Sequence, residues 1–325
     1  MFGIVASASL LIALNGCTTA VDPTGSTGST GDASRTDVDT ADIGNQPADI
    51  GNPVVDAGAA CRDAGALADA GPGCGQPTPT PQDGPTAGMK LVPAGPFWRG
   101  CNRAVDSFCQ SDEGTGGCVA LPAFEIDTTE VTQQAYARCV SAGACSAAHQ
   151  TSSTTCVYDP VATPNLPVVC VDWNEARTFC QWADKRLPTE AEWEKAARGT
   201  DGRTYPWGNE APTCQLANIL GCGERLRNVG SETGDSPYGT RDMGGNVWEW
   251  VADWYDATYY ASAPVCNPAG PPSGPGHARV GRGGGFEMLP MFSGPTIFVR
   301  SAFRHPIDPS TARVGIGFRC ARSLD

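Results

Sequence analysis

The chain has 325 residues and a net charge of −13, which argues against nucleic-acid binding, because that needs Lys and Arg to displace phosphate counterions. Only 18% of residues are charged, with 40 Gly and 27 Pro, so a helical bundle or coiled coil is disfavoured and a loop-rich domain expected. Fifteen cysteines point to an oxidising compartment.

Residues 1–17 read MFGIVASASLLIALNGC, an apolar run too short for a membrane span that ends at Leu14-Asn15-Gly16-Cys17. This ending resembles the lipobox of bacterial lipoprotein signal peptides. The resemblance implies cleavage before Cys17 and lipid attachment to it, although no Lys or Arg precedes the apolar run. The alternative is an ordinary signal peptide in which Cys17 is incidental. Residues 18–88 hold ten Asp and no Glu against Arg35 and Arg62, with no Trp, Tyr or Phe. Such a stretch cannot bury enough apolar surface to offset its ordering entropy, so it reads as an acidic tether. The layout is an extracytoplasmic domain held to a membrane through a lipid.

Composition changes at Met89, and all eight Trp follow it. Residues 89–99 and 121–127 read as short strands. Thr132 to Ala142 reads as a helix with Thr132 as N-cap and Gly143 past its end. Asp172 with Glu175 opens a second helix, which places Ala176, Phe179, Cys180 and Ala183 on one face. Thr189 with Glu192 opens a third, burying Trp193, Ala196 and Ala197 and ending at Gly199. Turns follow, at 206–208, 236–239 and 282–285. No GxGxxG, P-loop or GxSxG occurs.

The motif order is EVT at 130–132, KRLPTEAEWEKAARG at 185–199, YPWGNE at 205–210, SPYGTRDMGGNVWEWVADWY at 236–255, RVGRGGGF at 279–286, RSAFR at 300–304 and GFRC at 317–320. This order resembles the formylglycine-generating enzyme family, also called the sulfatase-modifying factor domain, over about 89–323. The resemblance implies a disulfide-stapled, loop-rich α+β fold related to C-type lectin-like domains. It also implies oxidation of a sulfatase cysteine with O₂ and Cu(I), the copper held between two thiolates. In the family those cysteines lie between the RGG turn and the arginines before GFRC. Here the matching positions are Met291 and Thr296, and no cysteine occurs anywhere in 267–319. Copper is therefore not expected. A disulfide that family oxidases carry maps to Ala197 and Ser301, so it is lost, whereas the pair Cys180–Cys320 is implied to be kept.

Setting Cys17 aside leaves fourteen cysteines, an even number. Cys61 with Cys74, Cys214 with Cys222, and Cys156 with Cys170 are plausible local pairs. The set Cys101, Cys109, Cys118, Cys139, Cys145 and Cys266 cannot be assigned from sequence. An iron site needs clustered histidines, and His149, His277 and His305 are isolated, so each reads as a surface residue.

The segment Asp242-Met-Gly-Gly-Asn-Val-Trp-Glu249 is the best candidate for calcium, which wants six to eight hard oxygens. By resemblance its ligands are the side chains of Asp242 and Glu249 and the carbonyls of Gly245 and Val247. The alternative is a structural turn with Asn246 bonding its own backbone. A second family calcium site, starting at Asn218 and Ile219, is not expected because the loop after it lacks an Asp partner. Trp248 and Trp250 line a groove or pack in the core, core packing being favoured. Arg300 and Arg304 recognise an anionic group or pair with buried acids such as Glu249 or Asp253, and Arg282 beside three glycines reads similarly.

Three functions compete. The first is a non-oxidase member that binds a protein or glycan ligand. The second is a formylglycine-generating oxidase with relocated ligands. The third is another enzyme with a pocket around Arg282, Met291, Thr296, Arg300 and Arg304.

Overall fold

Two prolines decide how the first strands are cut. The strand expected over 89–99 is two strands, β1 (Met89–Val92) and β2 (Gly95–Arg99). The one expected over 121–127 is β4 (Phe124–Asp127), preceded by a separate β3 (Gly117–Leu121). Pro93 and Pro122 sit in the breaks, because proline has no N–H to give a ladder. Each break moves the chain between sheets, since β1 pairs antiparallel with β4 and β2 with β3. The computed structural model describes residues 86–114, 116–148, 156, 158–287 and 295–324. The expected signal segment and tether, with Cys17, Cys61 and Cys74, lie outside these residues, as do His149 and Met291. The boundary expected at Met89 moves back. Thr86 donates its N–H and its hydroxyl to Glu125, at 2.7 and 2.8 Å, so the fold includes it.

The three expected helices form where their caps place them. Helix α1 (Gln133–Ser141) starts at Thr132, whose hydroxyl accepts from the Ala135 N–H at 3.1 Å. Helix α2 (Trp173–Trp182) starts with a reciprocal capping box between Asp172 and Glu175, both bonds 2.9 Å. Helix α3 (Glu190–Arg198) starts with the same device between Thr189 and Glu192. Gly199 ends α3 at φ 72°, a conformation glycine takes without strain. The apolar pattern located Ala176, Phe179 and Cys180 in the core, while Ala183 is only half-buried.

A short helix α4 (Tyr259–Ser262) follows β5 (Trp248–Trp254). The remaining strands are β6 (Arg279–Arg282), β7 (His305–Ile307), β8 (Ile316–Phe318) and β9 (Ala321–Ser323). One sheet runs β7-β6-β5-β8, with β5 and β8 parallel, and another runs β1-β4-β9. Trp248, Trp250, Tyr136, Phe179 and Phe318 share one core cluster with α2 and β8. Trp193, Ala196 and Ala197 share another with Phe97, Phe124 and Met243.

All nine residues of α3 are buried, five of them charged, which the apolar pattern alone did not indicate. Their charges are spent on the chain around them. Lys195 Nζ donates to the carbonyls of Pro93 and Gly95, at 2.7 and 2.8 Å, which pins the break between β1 and β2. Burial lowers this ammonium to about 8. Glu194 accepts from the Gly100 N–H, Arg198 and Arg282 at 2.7, 2.9 and 2.9 Å.

Five disulfides fasten these parts: Cys101–Cys109, Cys139–Cys145, Cys156–Cys170, Cys180–Cys320 and Cys214–Cys222. Cys118 and Cys266 are disulfide-bonded as well. The pairs expected for Cys156, Cys180 and Cys214 are present.

Glu194→Ala leaves Arg198 and Arg282 short of a buried partner, and is expected to cost about 3–5 kcal/mol of stability. Thr189→Ala removes only a cap, worth about 1 kcal/mol. Urea unfolding of the two variants, followed by tryptophan fluorescence, checks that order.

Candidate functional site

The arginines expected to line a pocket are inside the protein. Arg282 donates to Glu190 and Glu194 and to the carbonyls of Ser301, Ala302 and Phe303. Arg304 makes a two-pronged contact with Glu190, at 2.7 and 2.9 Å, and bonds the carbonyls of Asp112 and Asp256. Arg300 is held by Asp106 at 2.7 Å and by both oxygens of Glu113. Burial alone would push the Glu190 carboxyl up, but Arg304 and Arg282 outweigh it and hold the group below its ordinary range. The expected partners Glu249 and Asp253 are thus corrected to Asp106, Glu113 and Glu190. These guanidiniums pin the returning chain at 300–304 against α3 and the 106–113 loop, and none of the three faces an external anion. Trp248 is 1% exposed and packs on Phe298, Phe303 and His305, so it belongs to the core. His305 is half-buried there and not a surface residue, and burial lowers its imidazole to about 4. His277 is exposed. The glycines after Arg282 serve internal contact: a Cβ on Gly284, at φ 68°, would lie 2.9 Å from Phe298.

The turn at 242–249 has positive φ at three residues, Asp242, Gly245 and Asn246. A Cβ on Gly245 would come within 2.7 Å of the Asn218 carbonyl. The Asn246 side chain does not bond its own backbone, as the alternative reading of a structural turn had it. It donates to Glu130 at 2.9 Å and accepts from Asn218 at 3.0 Å and from the Arg227 N–H at 3.1 Å. Glu249 is fully engaged, with both oxygens on Arg319 at 2.7 Å and one also on Trp193 Nε1 at 2.8 Å. Glu249, the residue expected beside Asp242 as a cation ligand, is thus the carboxylate that neutralises Arg319. Asp242 instead stands with Glu130. Both are buried, and the Glu130 carboxyl, held protonated, hydrogen-bonds the Asp242 carboxylate. Asn218 Oδ1 is buried without a hydrogen bond among the described residues. Burial, and then the neighbouring Asp242, pushes the Glu130 carboxyl well up, and burial likewise raises Asp242. Glu249, Glu130 and Asp242 all act on the single Arg319. With the Asn218 amide oxygen they are hard oxygen donors of the kind a divalent cation takes.

All twelve described cysteines are disulfide-bonded. Thr296 is half-buried in a short 3₁₀ turn (Pro295–Ile297) and offers no thiolate. Ala197 and Ser301, where the family disulfide is lost, are both fully buried. Cys101, Cys109 and Glu113 approach one another closely enough to hold an ion, but the two sulfurs are bonded together and Glu113 is taken by Arg300.

Residues 75–324 match the Sulfatase-modifying factor enzyme 1-like domain. The chain belongs to this family. The formylglycine-generating enzyme of Streptomyces coelicolor is 39% identical over 180 residues, 51% of this chain and 56% of that protein. The hercynine oxygenase of Mycolicibacterium thermoresistibile is 30% identical over 285 residues, covering 78% of this chain and 63% of that enzyme. This chain thus spans little more than half the length of the first of these relatives. Among solved structures, PvdO from Pseudomonas aeruginosa has a TM-score of 0.61 at 28% identity and covers 77% of this chain and 98% of that one. These likenesses agree with a mixed helix and sheet fold of the family type carrying several disulfides.

Sequence reasoning missed the Glu130–Asp242 pair and the Arg319–Glu249 pair. Both were present as letters, in EVT and in GFRC, but 112 and 70 residues separate the partners, and no spacing rule connects them.

Burial that raises Glu130 and Asp242 makes the native state hold protons that the unfolded chain releases near its ordinary carboxylate range. Stability in the presence of chelator is therefore expected to fall as pH rises above that range. Thermal unfolding across pH 5–8 checks this, and Glu130→Gln is expected to flatten the slope.

Proposed function

We propose that this chain is a binding member of the family and not a copper-dependent oxidase. It would be tethered by a lipid at Cys17 on the extracytoplasmic side of a membrane and recognise a protein or glycan ligand there. One observation carries this reading: every described cysteine is tied in a disulfide, and the segment 267–319 contains none. Cu(I) bound between two cysteines requires thiolates, and here the donors are absent from the matching positions. The disulfides suit an oxidising compartment. No helix among the described residues is long and apolar enough to cross a membrane, so attachment by lipid fits. A relationship to C-type lectin-like domains, which the family resemblance implies, would place a binding role on a scaffold suited to it.

The reading extends to calcium at the 242–249 turn, with Glu130 and Asn218 in place of Glu249. Asp242 and Glu130 would supply carboxylate oxygens, Asn218 its amide oxygen, and Gly245 and Val247 their carbonyls. The bound ion would supply the positive charge that the acid cluster lacks. Calcium at ten times its Kd is expected to stabilise the protein by about 1.4 kcal/mol, and several-fold more calcium by correspondingly more. Differential scanning calorimetry checks the shift. Asp242→Asn and Glu130→Gln are expected to abolish it. Glu249→Gln is expected to lower the melting temperature while leaving the calcium increment in place, because it strands Arg319.

The second reading is a formylglycine-generating oxidase with relocated ligands. What favours it is the pair Cys101 and Cys109, whose sulfurs lie beside Arg300, 4.0 Å from Cys101 Sγ. Alkylation without reductant, followed by mass spectrometry and a Cu(I) competition titration, separates the two. No labelled cysteine from 101 to 320 and no tight Cu(I) binding are the expected results. Labelling of two cysteines with tight copper binding would establish the oxidase instead.

A further inference from the structure

The described arginines mostly rest on carboxylates. Arg186, Arg198, Arg203, Arg227, Arg282, Arg300, Arg304 and Arg319 each hold one. Arg241 and Arg322 do so as well, and among the described arginines that make no ion pair, Arg177 and Arg279 border the same cleft of about 680 Å³. This lies within the roughly 300–1,000 Å³ that accommodates a small ligand. It is distinct from the Arg282–Arg304 region, and every residue of its lining is described.

The walls come from three elements and the loops beside them. Helix α2 gives Asn174, Arg177 and Gln181, all exposed, β5 gives Ala252 and Trp254, and β6 gives Arg279. Arg279 is clamped between two indoles, its guanidinium 3.7 Å from the Trp173 ring centre and 3.4 Å from that of Trp254. Stacking on two faces fixes the plane of the fork, and a bond from Nη1 to the Ala252 carbonyl at 2.6 Å fixes its direction. Trp173 is in turn held by a bond from its Nε1 to the Val251 carbonyl at 2.8 Å. Arg177 lies 5.7 Å from the Trp173 ring and projects into solvent. The third arginine of the cleft, Arg186, is spent on Glu192 through two bonds of 2.6 Å.

The nearby acid, Asp253, is buried and accepts from the Glu190 N–H at 2.8 Å, outside the lining of the cleft. Partial burial, with the Arg177 charge beside it, lowers Arg279 to about 10. A positively charged recess on a chain of net charge −13 is selective by sign, since the rest of the molecule repels anions. Its other groups are two exposed amides and the half-buried indole of Trp254. Amides pair with hydroxyls, and indole packs against the C–H face of a sugar ring.

We propose that this cleft binds an acidic saccharide, a sugar whose carboxylate or sulfate ester is received by Arg279 and Arg177. A preset, stacked guanidinium fork recognises a planar oxyanion with little ordering cost, and the amides at Asn174 and Gln181 receive the hydroxyls. The inference rests on the reading of the chain as a binding member for its biological role.

The test is isothermal titration of the full chain, with tryptophan fluorescence as a second readout. Oligogalacturonate carries carboxylates, a κ-carrageenan oligosaccharide carries sulfate esters, cellotetraose is uncharged, and inorganic sulfate has no sugar. At least one of the two acidic oligosaccharides is expected to bind, and the two controls are expected not to compete. Arg177→Ala, at an exposed position, is expected to weaken binding about ten-fold or more with no change in melting temperature. Arg279→Lys, which keeps the charge but loses the planar fork, is expected to weaken it likewise. Failure of both acidic oligosaccharides to bind the folded chain would overturn the proposal. So would binding that both variants leave unchanged, and that result would spare the binding-member reading while removing the cleft from it. Thiol labelling with copper binding would do the opposite, removing that reading while leaving the saccharide titration intact.

Discussion

The fold depends on a helix that is charged and nevertheless buried over its whole length. Helix α3 presents Glu190 and Glu194 to three arginines from two other parts of the chain and from its own last turn, and each guanidinium also takes up backbone carbonyls. Lys195 and Arg198 do the same for the carbonyls of 93, 95, 100, 202 and 203. A loop-rich domain has many backbone groups without ladder partners, and these must be satisfied somewhere. Here long cationic side chains reach them from one central helix. Ion pairs of this kind add little net stability over a well-packed apolar core, but removing one member strands the rest, so they fix the arrangement more than they strengthen it.

The same economy explains why the familiar motif arginines do not form a pocket. Their positions in the chain match the family, yet their geometry here is internal. Two acid clusters show the contrast. Glu249 has a matched cation in Arg319 and is closed to ligands. Glu130 and Asp242 share that arginine's field and, with no cation of their own, settle their charge by sharing a proton.

Local rules were legible in the sequence wherever a short spacing governs them. The caps at Thr132, Asp172 and Thr189 act over three residues, and the close cysteine pairs 156–170 and 214–222 over few. The strand breaks at Pro93 and Pro122 were equally local and were overlooked because the flanking apolar residues read as continuous. What spacing cannot supply is the choice between identical charges. Arg282, Arg300, Arg304 and Arg319 all had several acids available, and only the topology of β5, β6 and β8 assigns each. The cleft at Arg279 was invisible for the same reason, since Trp173, Trp254 and Arg279 come together only when β5 and β6 pair beside α2.

The bridge from Cys180 to Cys320 spans 140 residues, whereas four others close over 6 to 14. The strand that follows Cys320 completes the sheet begun by β1, by pairing with β4. When the chain folds oxidatively as it emerges from its N-terminus, its small loops can therefore lock while the two partners of the long bridge are still apart. Cys180 must wait as a lone thiol until the last dozen residues arrive, while its neighbours are already sealed. Early closure of the four short loops removes eight of the cysteines that would otherwise compete for it, so the order of emergence itself favours the long bridge.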